Sequence, residues 1–141
     1  DFADGGLVRV LRGHEGTVMS VAISCEKMCI ASAGADDAIR LWGLTTGDSL
    51  DTIDAGNRTV TSCAICPKGK YIAAGNSETV VTCWHIFSGD PIHRELVFKG
   101  HDGTITGVAF TPDCRYLISS SADMTLRVWP LPDEHEIGAA W

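Results

Sequence analysis

The chain has 141 residues, of which 45% are hydrophobic and 21% are charged, a composition typical of folded globular domains and not of disordered chains. Its formal net charge of −7 and its scattered Lys and Arg residues argue against nucleic-acid binding and against an anionic-membrane surface, which both need clustered basic side chains. No apolar run is long enough to cross a bilayer, and the N-terminus has no signal-peptide features. We therefore expect a cytoplasmic protein that is not secreted, with a nuclear location or a large cytosolic assembly left open.

Six cysteines raise the question of a metal site or of disulfides. Cys63 and Cys66 have the spacing of a metal-binding knuckle. They lie in a strand-like run, where residues three apart point to opposite faces, and no second pair completes four ligands. We predict no metal and no cofactor, and we expect all the cysteines to be reduced residues of the core.

An internal repeat organises the chain. Gly13-His14 and Gly100-His101 are 87 positions apart, and so are Trp42 and Trp129. Trp84 marks a third, weaker copy between them. The repeat unit is therefore about 43 residues long, within the roughly 40–45 residues of a four-stranded sheet unit.

Short runs rich in Val, Ile and Thr predict strands in chain order, separated by turns that contain Gly, Pro, Asp and Ser. Residues 1–11 contain an alternating run at 7–11, which we interpret as the outer strand of a preceding unit. The first repeat, 12–53, has predicted strands at 18–24, 28–33, 38–42 and 49–53.

The other two repeats follow the same plan. The second, 54–98, has predicted strands at 60–66, 70–74, 80–84 and 92–97. The third, 99–141, has predicted strands at 105–110, 116–120 and 125–129, and a weak fourth strand within 134–140.

The recurrence of Gly-His, Ser, Asp and Trp at fixed offsets resembles the WD-repeat (WD40) family of β-propellers, from about Leu7 to Trp129. The position after each Trp, usually Asp in the family, is Gly43, His85 or Pro130 here. The resemblance implies an all-β fold of three four-stranded antiparallel blades.

The resemblance also implies a hydrogen-bonded tetrad in two blades. Its members are His14, Ser32, Asp36 and Trp42 in the first, and His101, Ser119, Asp123 and Trp129 in the third. We expect the Trp N–H to donate to the Ser hydroxyl, the Ser to bond one His nitrogen, and the other His nitrogen to bond the Asp. The same three residue types could form a hydrolase triad, but a repeated set with Ser inside a strand favours a structural role.

The second repeat departs from this pattern. It has Gly56 at the His position, Ala74 at the Ser position and Glu78 at the Asp position, and it keeps only Trp84. We therefore expect the Trp84 N–H to need another partner.

Three blades do not close a ring, which takes four to eight blades. The chain is then either an open segment of a larger ring or a unit closed by homo-oligomerisation, with two copies giving six blades and three giving nine. The remaining blades are in either case its first expected partners, in the same chain or in other copies.

By resemblance, such propellers bind protein or peptide partners on the rim and have no catalysis of their own. The candidate rim positions in this chain are Thr17, Met19, Ala35, Thr59, Thr61, Ser77, Thr104, Thr106 and Ala122. We therefore predict a non-catalytic interaction scaffold. A purely architectural or self-assembling subunit is the alternative, and a serine hydrolase is a remote third.

Overall fold

The computed structural model describes residues 5–56, 58–86 and 94–133, in which all regular structure is β-strand. The strands are β1 (Val18–Ser24), β2 (Cys29–Gly34), β3 (Ala38–Gly43), β4 (Ser49–Asp54), β5 (Val60–Ile65), β6 (Tyr71–Asn76), β7 (Val81–His85), β8 (Arg94–Phe98), β9 (Ile105–Phe110), β10 (Tyr116–Ser121) and β11 (Leu126–Pro130). They pair in chain order into three antiparallel sheets, which we call blade 1 (β1–β4), blade 2 (β5–β8) and blade 3 (β9–β11). In this part of the chain no helix could span a membrane. The all-β class with three antiparallel blades, predicted from the sequence, is confirmed.

The same tight turn joins the first two strands of every blade. The amides of Met28, Gly69 and Cys114 each donate to the carbonyl three residues earlier, at 3.3, 2.7 and 2.9 Å. These three residues have φ of +49°, +67° and +59°, in the left-handed region that only glycine adopts without steric cost. The turn is therefore imposed by the fold at Met28 and Cys114 and is favoured by the sequence at Gly69.

Two apolar cores lie between the blades. The first packs Ala31 and Ala33 of blade 1 against Cys63 and Trp84 of blade 2. The second packs the other face of blade 2 against blade 3, with Ile105 and Leu117 at its centre. The small Ala side chains let the sheets approach closely, and all of β6 is buried between its two neighbours.

The innermost strands β1, β5 and β9 lie side by side and are joined by polar contacts. Thr61 Oγ1 donates to the Ile105 carbonyl at 2.6 Å, from blade 2 to blade 3. Ser20 Oγ accepts from the Cys63 amide at 3.1 Å, between blades 1 and 2. These contacts fix the order of the blades around a common axis, as in a propeller.

Two of the strands expected from the sequence do not appear among the strands of the described residues. Residues 7–11 form no strand: the first four are exposed and Leu11 is half-buried, and Arg9 Nη1 donates to the Thr45 carbonyl at 2.7 Å. Strand pairing needs a neighbouring edge, and the described residues offer none there. The strand expected within 134–140 lies outside the described residues, and blade 3 has three strands in the described part.

The expectation that every cysteine is reduced was wrong for one pair. Cys66 and Cys114 form a disulfide between blades 2 and 3, with their Cα atoms 5.9 Å apart. Cys25, Cys29, Cys63 and Cys83 are free thiols. Spacing along the chain gives no sign of this pair, because the two residues meet only when the blades pack.

Candidate functional site

In blade 1, four side chains from separate elements form one hydrogen-bonded chain. Trp42 on β3 donates its indole N–H to Ser32 Oγ on β2 at 2.8 Å. His14 Nε2 lies 2.7 Å from the same hydroxyl, and His14 Nδ1 lies 2.9 Å from Asp36 Oδ2 in the β2–β3 turn. The segment before β1 is thereby held against the sheet.

Blade 3 repeats this geometry. Trp129 Nε1–H donates to Ser119 Oγ at 2.9 Å, His101 Nε2 lies 2.7 Å from that hydroxyl, and His101 Nδ1 lies 2.8 Å from Asp123 Oδ2. Thr125 adds a hydroxyl donor to Asp123 Oδ1 at 2.6 Å.

The donors and acceptors match when the histidines are neutral. Nδ1–H donates to the carboxylate, and Nε2 then accepts the serine proton, so the serine oxygen is left to accept from the Trp. Each donor among these four side chains then has an acceptor, and the serine hydroxyl is engaged both as donor and as acceptor. This arrangement stabilises a blade and does not prepare an attacking serine.

The two aspartates are held in their charged form. Burial alone would raise the pKa of Asp36, but hydrogen bonds from the Glu15 amide and the His14 ring outweigh it and lower that pKa. The hydrogen bond from the Thr125 hydroxyl is the largest cause of the lowered pKa of Asp123. Burial is the next largest effect and acts in the opposite direction, and the hydrogen bond from His101 lowers the pKa further. Each carboxylate is therefore a stable acceptor for its histidine.

The glycine before each histidine is explained by close approach. A Cβ at Gly13 would lie 3.1 Å from Arg40 Nη1 and 3.1 Å from the Trp42 ring. At Gly100 the same atom would lie 2.9 Å from Arg127 Nη1. The side chains of Arg40 and Arg127 pack against these glycines, and the Nε of each is buried without a hydrogen-bond partner in the described structure.

Blade 2 replaces the aspartate by a different residue. Asn76 Oδ1 accepts from the amides of Glu78, Thr79 and Val80 at 3.0, 3.2 and 3.2 Å. Glu78, at the Asp position, turns outward to pair with Arg58 at 3.2 Å, and both side chains are exposed. Sequence reasoning missed Asn76, although an Asn where blade 1 has Gly34 was the signal that could have found it.

The two remaining replacements in blade 2 have no polar compensation. Ala74 puts a buried methyl where the serine lies in the other blades. Gly56 has nothing within 4 Å of the position where its Cβ would be. Within the described residues no group accepts a hydrogen bond from Trp84 Nε1, so the partner expected for it is not found there.

The candidate rim residues come together in sets of three, one set on each blade. Backbone bonds from Ala35 to Thr17, from Ser77 to Thr59 and from Ala122 to Thr104, at 2.8, 3.0 and 2.9 Å, join the start of the first strand to the turn before the third. Met19, Thr61 and Thr106 lie two positions after the threonine of each set.

Three of the five hydroxyls of blades 2 and 3 on this rim have partners inside the molecule. Thr61 Oγ1 donates to the Ile105 carbonyl, Thr104 Oγ1 donates to the Ser77 carbonyl at 3.0 Å, and Thr106 bonds Ser120 at 2.9 Å. Met19 on blade 1 is 47% exposed and is the one large apolar side chain of the candidate set. The rim is therefore divided, with polar contacts between blades on one side and an apolar position on the other.

The described residues contain no group of three or more His, Cys, Asp or Glu side chains that could hold a metal ion. Cys63 lies in the core between blades 1 and 2, whereas Cys66 lies in the core between blades 2 and 3. The two sulfurs therefore lie on opposite faces of blade 2.

Comparison with known proteins gives the same repeat pattern. The family described as "WD domain, G-beta repeat" matches residues 5–43, 47–85 and 92–130. Each matched span begins one strand before a blade, since 47–85 includes β4 of blade 1 and then β5–β7. Residues 5–14 occupy the position in the first matched span that β4 and β8 occupy in the other two, although they form no strand.

Among similar proteins, the guanine nucleotide-binding protein subunit beta of Nicotiana tabacum is 31% identical over 130 residues, which cover 87% of this chain and 34% of that protein. The nuclear distribution protein PAC1 of Yarrowia lipolytica is 30% identical over 140 residues, with 90% and 31% covered. The chain thus spans about a third of the length of the curated relatives that it matches. Three matched repeats, three antiparallel blades and two complete tetrads agree: the chain belongs to the WD-repeat family.

Proposed function

We propose that the chain is a non-catalytic protein-interaction scaffold that binds a protein or peptide partner on the rim of blade 1. The observation that carries the proposal is the exposed apolar side chain of Met19 beside Thr17 and Ala35, which are also exposed. Burial of an exposed apolar side chain in a partner is a common source of binding energy.

The tetrads support a role without catalysis. Ser119 has no exposed surface, and Ser32 is 7% exposed. Each serine oxygen accepts a Trp N–H while its proton bonds a histidine, so a substrate carbonyl could reach neither without disrupting the blade. A serine hydrolase would need an open nucleophile, and these positions do not supply one.

The relatives support protein partners. The Nicotiana tabacum protein is by its name one subunit of a guanine nucleotide-binding protein. We extend only that general property to this chain, a surface that binds another protein, and we add to it the position on blade 1. The acidic net charge of −7 supports the further proposal that nucleic acids and anionic membranes are not among the partners.

The chain offers a matched pair of residues for the test. Met19 on β1 and Met28 in the β1–β2 turn are both 47% exposed, so Met19→Glu and Met28→Glu change the same side chain at the same exposure. Peptides selected on the immobilised chain from a phage-displayed random library serve as the probe, and their affinities are measured by calorimetry. Met19→Glu should weaken binding by about 10-fold or more, because it places a carboxylate in an apolar contact, whereas Met28→Glu should change it less than about 2-fold. Equal affinities for the two variants, or no enriched peptide, would contradict the rim proposal.

A purely architectural or self-assembling subunit is the second candidate, and a specific observation favours it. Ser20 and Ala22 of β1 face blade 2, so the alternating Val21 and Ile23 face away from it, and both are exposed. At the other end, Leu126 and Val128 are exposed on blade 3. Such faces suit contacts with further blades, in the same chain or in a homo-dimer or homo-trimer.

We propose a cytoplasmic or nuclear location, as part of a large assembly or alone. Four free thiols support it, because secreted domains usually pair their cysteines. The disulfide between Cys66 and Cys114 weighs against it unless that bond is reversible. Fluorescence microscopy of the tagged chain would test it, and accumulation in the secretory pathway would overturn it.

A further inference from the structure

A disulfide joins two blades that otherwise meet only through non-covalent contacts. Cys66 follows β5 in blade 2, and Cys114 lies in the β9–β10 turn of blade 3, 48 positions later. Nearby, the Tyr71 hydroxyl donates to the Pro132 carbonyl at 3.1 Å and fixes the end of blade 3 against blade 2. The disulfide therefore reinforces the contact between blades 2 and 3 on the side where the Tyr71 hydrogen bond lies.

The two cysteines differ in exposure. Cys66 has no exposed surface, whereas Cys114 is 8% exposed and lines a cavity of about 290 Å³. Of the two cysteines, only Cys114 lines this cavity. Thiol–disulfide exchange requires contact between the attacking thiolate and one sulfur of the bond, so a small thiol that enters the cavity approaches the bond from the Cys114 side.

The cavity also carries charge. Lys68, Lys70 and Arg115 line it together with Asp113 and Asp133, which gives a net charge of +1 on a chain whose net charge is −7. A cleft of positive sign raises the local concentration of anions. Among small thiols, the cavity should therefore favour an anionic one.

We propose that Cys66 and Cys114 are a redox-active pair that exchanges with a small anionic thiol of the glutathione class, through attack at Cys114. The thiolate attacks Cys114 Sγ, the bond between the two cysteines breaks, and Cys66 leaves as a thiolate that takes up a proton. A second thiolate attacks the outer sulfur of the mixed disulfide and releases Cys114. Two small thiols are thereby oxidised to one small disulfide, and the protein bond is reduced to two thiols; the reverse sequence re-forms it, with the small disulfide as oxidant.

The other buried cysteines are poor competitors for this chemistry. Burial raises the pKa of Cys83 far above its usual value, and burial likewise raises the pKa of Cys63 and of Cys29. Thiols kept protonated in a core do not exchange readily. Cys25 is exposed and free, so it is replaced by serine throughout the experiments.

The first experiment maps the mixed disulfide. Cys25→Ser/Cys66→Ser and Cys25→Ser/Cys114→Ser chains are incubated with oxidised glutathione, and free thiols are blocked before peptide mass spectrometry. The glutathionyl adduct should form at Cys114 in the first chain, and Cys66 in the second should remain unmodified. An adduct on Cys66 at equal or greater yield would overturn the proposal.

A second experiment keeps both cysteines and so does not depend on the folding of those variants. The oxidised Cys25→Ser chain is reduced with glutathione or with neutral 2-mercaptoethanol, at matched thiolate concentration. Glutathione should react faster by roughly 3-fold or more. Lys68→Gln should diminish that advantage, and Lys99→Gln, outside the cavity, should not. Absence of the bond in the oxidised chain, or equal rates for both thiols, would contradict the proposal, and neither result bears on binding at Met19.

Discussion

At the scale of single residues, the serine of each tetrad must bond two buried partners with one oxygen atom. Ser119 Oγ is the one atom that meets both the Trp129 N–H and the His101 ring, at 2.9 and 2.7 Å. A methyl group at this position would leave two buried polar groups without partners. Blade 2 has such a methyl naturally, at Ala74, and it has also lost the histidine that would have needed the hydroxyl.

We therefore predict that Ser119→Ala lowers the free energy of unfolding by about 1–3 kcal/mol, the cost of an unpaired buried group. Ser120→Ala is the control on the same strand, because the Ser120 hydroxyl bonds Thr106 at the exposed side, and it should change stability by less than about 0.5 kcal/mol. Urea denaturation followed by Trp fluorescence measures both. Loss of a hydrolytic activity in a Ser119→Ala chain of unchanged stability would instead favour the hydrolase.

At the scale of elements, blade 2 shows how a repeat keeps its turn after losing its aspartate. In blade 3, Asp123 Oδ1 accepts from the Thr125 amide at 2.9 Å. In blade 2, Asn76 reaches the corresponding turn from the end of β6 and satisfies three amides. The turn depends on an acceptor at the right place, and not on one position in the sequence.

Asn76→Ala should accordingly destabilise the chain by about 1–2 kcal/mol, the usual loss when an acceptor for terminal amides is removed. Asn76→Asp keeps the oxygen acceptor and should retain most of the stability. Chemical denaturation compares the two variants with the unmodified chain. Similar losses in both would show that Asn76 acts through its amide nitrogen and not as an acceptor.

The strands could be predicted from the sequence because alternation and turn residues are local signals. The strand predicted at 105–110 matches Ile105–Phe110, and that at 38–42 differs from Ala38–Gly43 by one residue. Three features could not be predicted this way. Asn76 takes over the role of the turn aspartate from a different position in the repeat. The disulfide forms only because two blades come into contact. A strand at 7–11 would need the edge of another strand to pair with.

At the scale of the whole molecule, the three blades leave one apolar face open at each end of the array. Blade 1 exposes Val21 and Ile23, and blade 3 exposes Leu126 and Val128. In the two interfaces that the structure contains, the corresponding faces are packed. The end faces therefore have the character of interior surfaces.

We expect the isolated chain to associate at micromolar concentration, with a mass above its 15.0 kDa. Val128→Lys should shift it towards the monomer, because a charge enters an apolar contact. Met124→Lys is the control, since Met124 is in a turn of the same blade and is 95% exposed. Sedimentation velocity measures the three chains. A monomeric unmodified chain at all concentrations would exclude self-assembly through these faces.

The hydrogen bond between Tyr71 and Pro132 makes Tyr71 a spectroscopic label for one contact between blades. Burial raises the pKa of Tyr71 to about 12, and the nearby Cys83 and Asp133 add to the effect. The folded state keeps the Tyr71 phenol protonated above its usual pKa. The protonated phenol therefore contributes fully to stability below about pH 10, and this contribution is lost as the pH rises towards 12. The ultraviolet absorbance of tyrosinate at Tyr71 thus reports the opening of the contact between blades 2 and 3, a natural label at the edge where the disulfide lies.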